Sequence, residues 1–380
     1  MNFSDEIKYF ESLPITIISS FGHNGLDWMH SLLDSHPNIS LMPAYSFFRT
    51  LDFYEKKYGS RIEDLKKPNE ISEKLTSFLY FDPSYQVIRR KFINNDKESK
   101  IFKKDFLLFL NNSSHQNKIK KIFYGINYAF CKLYNLDFKK VKMIISQEHV
   151  SWHSERYKNI FDPKFIFMMR DPRAGLSGSW KRQVDNAGLK SINPYDFDKG
   201  ILVGTYLEKF CKKFNRENEK KIKIMKNEKM HKNLRREIEN LCEWLELDFN
   251  ISCLEETFLG VEWLGESSYL AVDELKEKPP VDFYKEDNIE NRWRERLSSE
   301  DINMIEYIFE NSFSTYEYKR DTKKNFLNNF FALKNFLFSN LFPENKKPRL
   351  FFLLKILRNF VRRTFVLIFP LQVSKIFKII

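Results

Sequence analysis

Pro14-Ile-Thr-Ile-Ile-Ser-Ser-Phe-Gly-His-Asn-Gly-Leu-Asp-Trp-Met-His-Ser-Leu-Leu-Asp-Ser-His-Pro-Asn38 decides the reading of this chain. Its first seven residues form a short, β-branched apolar run of the kind that makes a buried strand. Gly22 and Gly25 then bracket a turn, and Leu26 to Ser35 places its apolar residues at helical spacing. His36-Pro37 ends the helix, because proline biases the residue before it out of the helical region. In such a strand, turn and helix, glycine permits positive φ and close approach, while free N–H groups at the helix start attract phosphate. An ATP-type loop would close on Gly-Lys-Ser/Thr. Here Gly25 is followed by Leu26-Asp27, so the lysine and the magnesium-binding hydroxyl are both missing.

Further along, Val141 to Ser146 and Lys164 to Met169 read as two more buried strands, and Ile222 to Met225 as another. The third runs straight into Arg170-Asp-Pro-Arg-Ala-Gly175, so Gly175 and Gly178 mark a second strand-to-helix turn. Only 11 glycines occur in the chain, and four of them sit in these two turns, which could grip the two phosphate ends of one nucleotide. Between the first and second strands, 51–140 has helical periodicity and reads as a helical insertion. Helices are expected over Lys232 to Leu245 and Ser299 to Phe313, the latter capped by Ser298 or Ser299. Strands alternating with helices imply parallel crossovers. The expected fold is therefore α/β: a P-loop-like doubly wound parallel sheet flanked by helices, within a domain over 1–320, with ligands beyond the carboxyl ends of the strands.

The chain has 380 residues, 42% hydrophobic and 16% aromatic, which excludes global disorder. Its net charge of +12 would suggest nucleic acid, but residues 321–380 hold 12 Lys+Arg and 2 Asp+Glu, leaving 12 − 10 = +2 for the body. No nucleic-acid partner is expected. From Arg349 to Ile380 there are seven basic residues, no acidic one and many Phe, Leu, Ile and Val; Lys355, Arg358 and Arg362 fall on one helical face. The longest uncharged run, Thr364 to Ser374, is 11 residues with a proline, too short for a span of about 20. This basic, Phe-rich amphipathic tail is expected to lie on a membrane surface with anionic headgroups. Cys131, Cys211, Cys242 and Cys253 have no short pairing, so they read as reduced structural thiols, with no metal site and no disulfide framework. No secretory signal precedes Ile15, which implies a cytoplasmic location, peripheral on the inner membrane face.

Ser20 to Asn38 resembles the first loop for 3′-phosphoadenosine 5′-phosphosulfate (PAPS) in the sulfotransferase family, commonly Gly-Arg-Ser-Gly-Thr-Thr-Trp followed by Leu-Leu-Asp-Ser-His-Pro. Lys164 to Trp180 resembles the second signature, a strand entering Arg-Asp-Pro-Arg-Ala with a serine about eight positions after the first arginine. Fainter echoes follow in family order: Asn227-Glu228, Trp263-Leu-Gly-Glu-Ser-Ser268 and Asn291-Arg-Trp-Arg294. The resemblance spans 14–318 and leans toward bacterial, carbohydrate-modifying members. It implies that Gly22, His23, Asn24, Gly25, Leu26, Asp27 and Trp28 cradle the sulfate-bearing phosphate of PAPS as co-substrate, without a metal. It also implies that Arg170 clamps the ribose 3′-phosphate, helped by Ser177 or Ser179 around Gly178, with Arg292 as a further nucleotide contact.

This chain departs from the pattern in two places. His23 stands where arginine or lysine usually neutralises the leaving phosphate, and Asp27 stands where a hydroxyl is usual. Some family members use a glutamate after the His-Pro as base, but Leu41 to Ser46 has no carboxylate. Others use a histidine ending the next strand, which here is His149, with Glu148 as its orienter or substitute. The expected catalytic set is His149, Glu148 and His23. The expected reaction is sulfuryl transfer to a hydroxyl of a glycan or glycolipid acceptor. A P-loop phosphotransferase and a catalytically degenerate PAPS-binding protein at the membrane are the other readings, and the sequence is silent on oligomeric state.

Overall fold

The computed structural model describes residues 3–20, 24–42, 46–81, 96–134, 136–178, 204–205, 209–211, 213, 219–263 and 286–338, with isolated positions from 357 to 368. A first helix, α1 (Phe3–Glu11), leads into β1 (Ile15–Ser20), α2 (Leu26–Leu33) and β2 (Ile39–Leu41). Four helices follow: α3 (Phe47–Tyr58), α4 (Pro68–Phe81), α5 (Asp96–Asn112) and α6 (Lys118–Leu133). Then come β3 (Met143–Glu148), α7 (Ser154–Phe161), β4 (Lys164–Met169) and a helix over 172–178, α8. β5 (Ile222–Lys226) runs into α9 (Asn227–Lys232) and α10 (Leu234–Leu245), and a hairpin of β6 (Thr257–Phe258) and β7 (Val261–Glu262) follows. The chain continues with α11 (Glu286–Asn291), α12 (Ser299–Ile308), α13 (Glu310–Thr315) and α14 (Phe326–Phe338).

β1 to β5 form one sheet in the order β2-β3-β1-β4-β5, and every pairing in it is parallel. Side chains alternate across the pleat, so the sheet has two cores. Ile17, Ile144, Phe165 and Phe167 pack with α1 and α3 to α6, while Ile18, Ile145, Ile166 and Met168 pack with α2 and α10. This is the α/β, P-loop-like doubly wound sheet that the alternation of strands and helices implies. Its four longer strands lie where the apolar runs put them. β2 has only three residues and carried no readable period.

The 51–140 stretch is helical among its described residues, and it is the crossover from edge strand β2 to β3 rather than an appendage. Asn117 caps α6 by accepting hydrogen bonds from the N–H groups of Ile119 and Lys120. A Cβ on Gly125 in α6 would lie 2.9 Å from the Phe106 ring of α5, so glycine is what allows these helices their close approach. Ser40 and Cys131 meet at 2.9 Å and fasten α6 to β2.

Two expected helices are each divided. Asn233 caps α10 by accepting from Arg236 N–H and separates it from α9, and Phe309 separates α12 from α13. Ser298 caps α12 in a reciprocal capping box with Asp301. α14, beyond the expected domain end at Arg320, packs against α12, burying Ala332 and Phe336, with Asn303 Nδ2 donating to Asn328 O at 2.9 Å. No helix among the described residues is long and apolar enough to cross a membrane.

Candidate functional site

β1 is central and the chain leaves it in opposite directions, toward β3 on one side and β4 on the other. The carboxyl end of β1 is therefore the switch point of the sheet, where a crevice opens in folds of this kind. Register brings three segments to that edge: Ser19 faces Glu148 across β1–β3, and Ser20 faces Met168 across β1–β4. The turn after β1, the residues after β3 and the turn beginning at Arg170 thus leave adjacent strands side by side. This is the geometry expected if two turns serve one nucleotide.

Gly25 has φ +84°, and a Cβ there would come 2.5 Å from Asn227 Nδ2, so the position demands glycine twice over. Asn227 opens α9 at the end of β5 and donates to Asn24 O at 3.5 Å, tying β5 to the loop. Asn24 is fully buried, and neither its Oδ1 nor its Nδ2 finds a hydrogen-bond partner. Leu26 is buried in the second core. Trp28 donates from Nε1 to Glu256 Oε1 at 2.6 Å and stacks on His231, with ring centroids 4.2 Å apart. Burial and the nearby Arg170 push the His231 imidazole down to about 4, so it is neutral at physiological pH.

Arg170 leaves the end of β4. Burial pulls its guanidinium below the ordinary pKa; Glu228 opposes that shift and Arg292 adds to it, which places a second cation close by. Its Nε has no hydrogen-bond partner, and its Nη2 reaches only the Ile289 carbonyl, at 3.4 Å. Asp171 is not its ion-pair partner. That carboxylate is held by Arg173 through Nη2 at 2.6 Å and Nε at 3.0 Å, while Arg173 Nη1 bonds Glu306 at 2.6 Å and its guanidinium lies 4.0 Å over Trp293. Glu228 accepts Asp171 N–H at 2.8 Å, and burial raises its pKa. Ser177 Oγ donates within α8 to Ala174 O at 3.1 Å. Unsatisfied buried polar atoms cost about 1–3 kcal/mol each, so Asn24 and Arg170 present donors in want of an anion. That donor set fits the phosphates of a nucleotide.

His149, just past β3, faces the start of α2. Its Nε2 lies 3.0 Å from Gln147 Nε2 and 3.9 Å from Asp27 Oδ1, and its N–H donates to Ser46 Oγ at 3.2 Å. Glu148 does not orient it. Successive strand residues point to opposite faces, so the fully buried Glu148 turns away, accepting from Val150 N–H at 3.0 Å and lying 3.3 Å from His153 Nδ1. The residue that touches His149 is Gln147, which the sequence reading passed over. Asn227, Gln147, Arg173 and Glu306 were likewise not singled out, and the Asn-Glu echo at 227–228 was their one faint signal. Gly22, His23 and Ser179, and Trp263-Leu-Gly-Glu-Ser-Ser268 beyond its tryptophan, lie outside the described residues.

Away from the site, His36, Cys242 and Cys253 bring possible ligand atoms within 4.8 Å of one another, a trio that the cysteine spacing did not reveal. Both imidazole nitrogens have other contacts: Nδ1 accepts from Asn38 N–H at 3.1 Å, and Nε2 lies 3.0 Å from Asp248 O. With Nδ1 accepting, Nε2 carries the proton, which is a structural role for the ring.

Fold and site define a class: a doubly wound α/β protein whose switch point holds a glycine turn, a buried guanidinium and a histidine. Residues 14–317 match the family model described as the sulfotransferase domain, and the chain belongs to that family. A search of curated proteins gave no match. Among solved structures, the chain is similar to the sulfotransferase domain of the Synechococcus PCC 7002 olefin synthase, with 13% identity, TM-score 0.44 and coverage of 80% of this chain and 95% of that one. It is also similar to the sulfotransferase domain from the curacin biosynthetic pathway, with 14% identity, TM-score 0.45 and coverage of 81% and 99%. Sulfotransferase STF9 from Mycobacterium avium is similar at 13% identity, TM-score 0.41 and coverage of 82% and 78%.

Proposed function

We propose that this chain transfers a sulfuryl group from PAPS to a hydroxyl of a glycan or lipid-linked glycan at the cytoplasmic face of a membrane. The observation that carries the reading is the convergence of the Asn24-Gly25 turn, Arg170 and His149 on one edge of the sheet. When bound, PAPS supplies the sulfuryl group and a bisphosphate leaving group. Asn24 and the N–H groups of the turn hold its 5′ end, and Arg170 with Arg292 holds the 3′-phosphate, since guanidinium matches phosphate geometry. His149 takes the proton of the acceptor hydroxyl. Likeness to carbohydrate-modifying members supports a glycan acceptor, and the basic apolar tail supports one carried on a membrane.

Incubation with labelled PAPS and, separately, labelled ATP tests the donor. Transfer of label from PAPS alone is the expected result, and transfer from ATP would replace this reading with a phosphotransferase. Mass spectrometry of cell-envelope glycans with and without the protein tests the acceptor: loss of a sulfated species supports it, whereas PAPS binding without turnover on any acceptor would mark a degenerate binder.

A further inference from the structure

We propose that Asp27 is a positioning residue for His149, acting through Gln147, and is not a contact for the nucleotide phosphate. The inference rests on His149 being the base of the proposed reaction. A carboxylate at this point in the turn is otherwise hard to explain, because it would repel the phosphate the turn is meant to hold.

The geometry gives it another partner. Asp27 Oδ1 accepts a hydrogen bond from Gln147 Nε2 at 2.6 Å. The same amide nitrogen lies 3.0 Å from His149 Nε2, and the amide oxygen lies 2.7 Å from His30 Nδ1. An amide has two N–H donors and one acceptor oxygen. A carboxylate can only accept, so Asp27 forces the NH2 end of Gln147 toward itself and toward His149, and leaves the oxygen for His30. Gln147 is fully buried and His30 equally so, which holds the amide in that orientation. His149 Nε2 then accepts the second amide hydrogen. The neutral ring carries its proton on Nδ1 and keeps the Nε2 lone pair, the form a base needs.

In the transfer, the acceptor O–H bond breaks and an Nε2–H bond forms, with no change of oxidation state. The imidazolium so made can no longer accept from Gln147, but Asp27 Oδ1 stands 3.9 Å from Nε2 and offsets the new charge. Nothing else described near the ring does this. From β3, Glu148 points to the opposite face and is occupied with His153, which is itself 2.8 Å from Asp52 on α3, where Arg156 of α7 also lies at 2.7 Å. From α2, His30 reaches the ring only through Gln147, and the residue before α3 contributes the Ser46 hydroxyl.

Two readouts on the full-length protein separate the outcomes. Long-range 1H–15N NMR of the His149 ring in Asp27→Asn should show its protonation midpoint falling by about one to three pH units, as expected for losing an opposite charge at this range. The acid limb of kcat/KM for PAPS-dependent transfer should move down with it, kcat on the plateau should fall, and the affinity for adenosine 3′,5′-bisphosphate should hold or rise. Asp27→Glu should restore the midpoint in part. An unmoved His149 titration together with a changed bisphosphate affinity would overturn the proposal and return Asp27 to the nucleotide. Failure of the base reading looks different: His149→Ala would keep its turnover, while the NMR midpoint in Asp27→Asn would still shift.

Discussion

Arg170 is a cation enclosed at the end of a strand, with one donor nitrogen unspent and a second guanidinium beside it. Two like charges in a partly desolvated place raise each other's energy, and an anion between them relieves both. Arg170→Ala should therefore weaken binding of adenosine 3′,5′-bisphosphate by about 10- to 100-fold, the worth of about 1.5–3 kcal/mol for hydrogen bonds to a charged group. Isothermal calorimetry reads this directly, and equal affinity would remove the role. His149→Ala should do the reverse, lowering kcat by about 10²- to 10⁴-fold, the usual scale of general base catalysis, while nucleotide affinity stays put. At this scale the sequence was legible where residue type alone carries the chemistry. Arg170 in its Arg-Asp-Pro-Arg setting and His149 at a strand end could be named without coordinates. Gln147 could not, because its importance comes from what α2 places opposite it, and a glutamine next to a glutamate and a histidine in sequence draws no attention. Pairing Glu148 with His149 failed for the simplest reason, that neighbours on a strand look away from each other.

Among the elements, the turn between β1 and α2 depends most on a single atom's absence. Gly25→Ala would place a Cβ on a left-handed backbone, costing about 1 kcal/mol, and against Asn227 Nδ2. The expected outcome is a fall of a few degrees in Tm and at least a tenfold loss of bisphosphate affinity, measured by calorimetry. A second junction joins α3 to α7: His153, buried, lies 2.8 Å from Asp52, and Arg156 lies 2.7 Å from the same carboxylate. His153 and Arg156 hold the Asp52 carboxyl below its ordinary 3.8 in spite of burial, and Glu148 and Asp52 hold His153 above its ordinary 6.5. A lowered carboxyl stabilises the fold above its unfolded pKa and stops doing so as pH falls through the folded value. A raised imidazole stabilises below its unfolded pKa and stops as pH rises through the folded value. The Tm gap between the natural chain and Asp52→Asn should then be widest from about pH 4 to 6.5 and narrow on both sides; a gap that is flat in pH would show that packing, not charge, holds this junction. The strands around these turns were readable because each is a run of apolar residues buried on both faces. β2 escaped because three residues carry no period, and the 51–140 stretch was taken for an insertion because sequence shows helices but not which strands they connect.

For the molecule as a whole, charge and apolar surface meet at the end of the chain. α14 packs one side on α12 and leaves Phe326, Leu327, Phe330 and Phe331 exposed on the other. The tail returns to it: Arg363 is buried and donates to Phe336 O at 2.8 Å, so the basic segment is docked on α14 at this point. The described tail residues between 357 and 368 are helical, and Leu357, Val361 and Ile368 are exposed at spacings that put them on one helical face. Lys355, Arg358 and Arg362 fall to one flank of that face, where headgroups would sit if its apolar side were buried in a leaflet. Each basic group near an anionic surface contributes about 1 kcal/mol. Replacing Lys355, Arg358 and Arg362 together by glutamine in the full chain should thus reduce partitioning onto phosphatidylserine-rich vesicles by about two orders of magnitude at low salt. Added salt should erode binding of the natural chain and move the variant far less, because only the electrostatic part is screened. Sedimentation of vesicles of stated composition reads both effects. If the variant co-sediments as fully as the natural chain, or if uncharged phosphatidylcholine vesicles capture both equally, the tail serves the fold of α14 and the acceptor must be sought in solution.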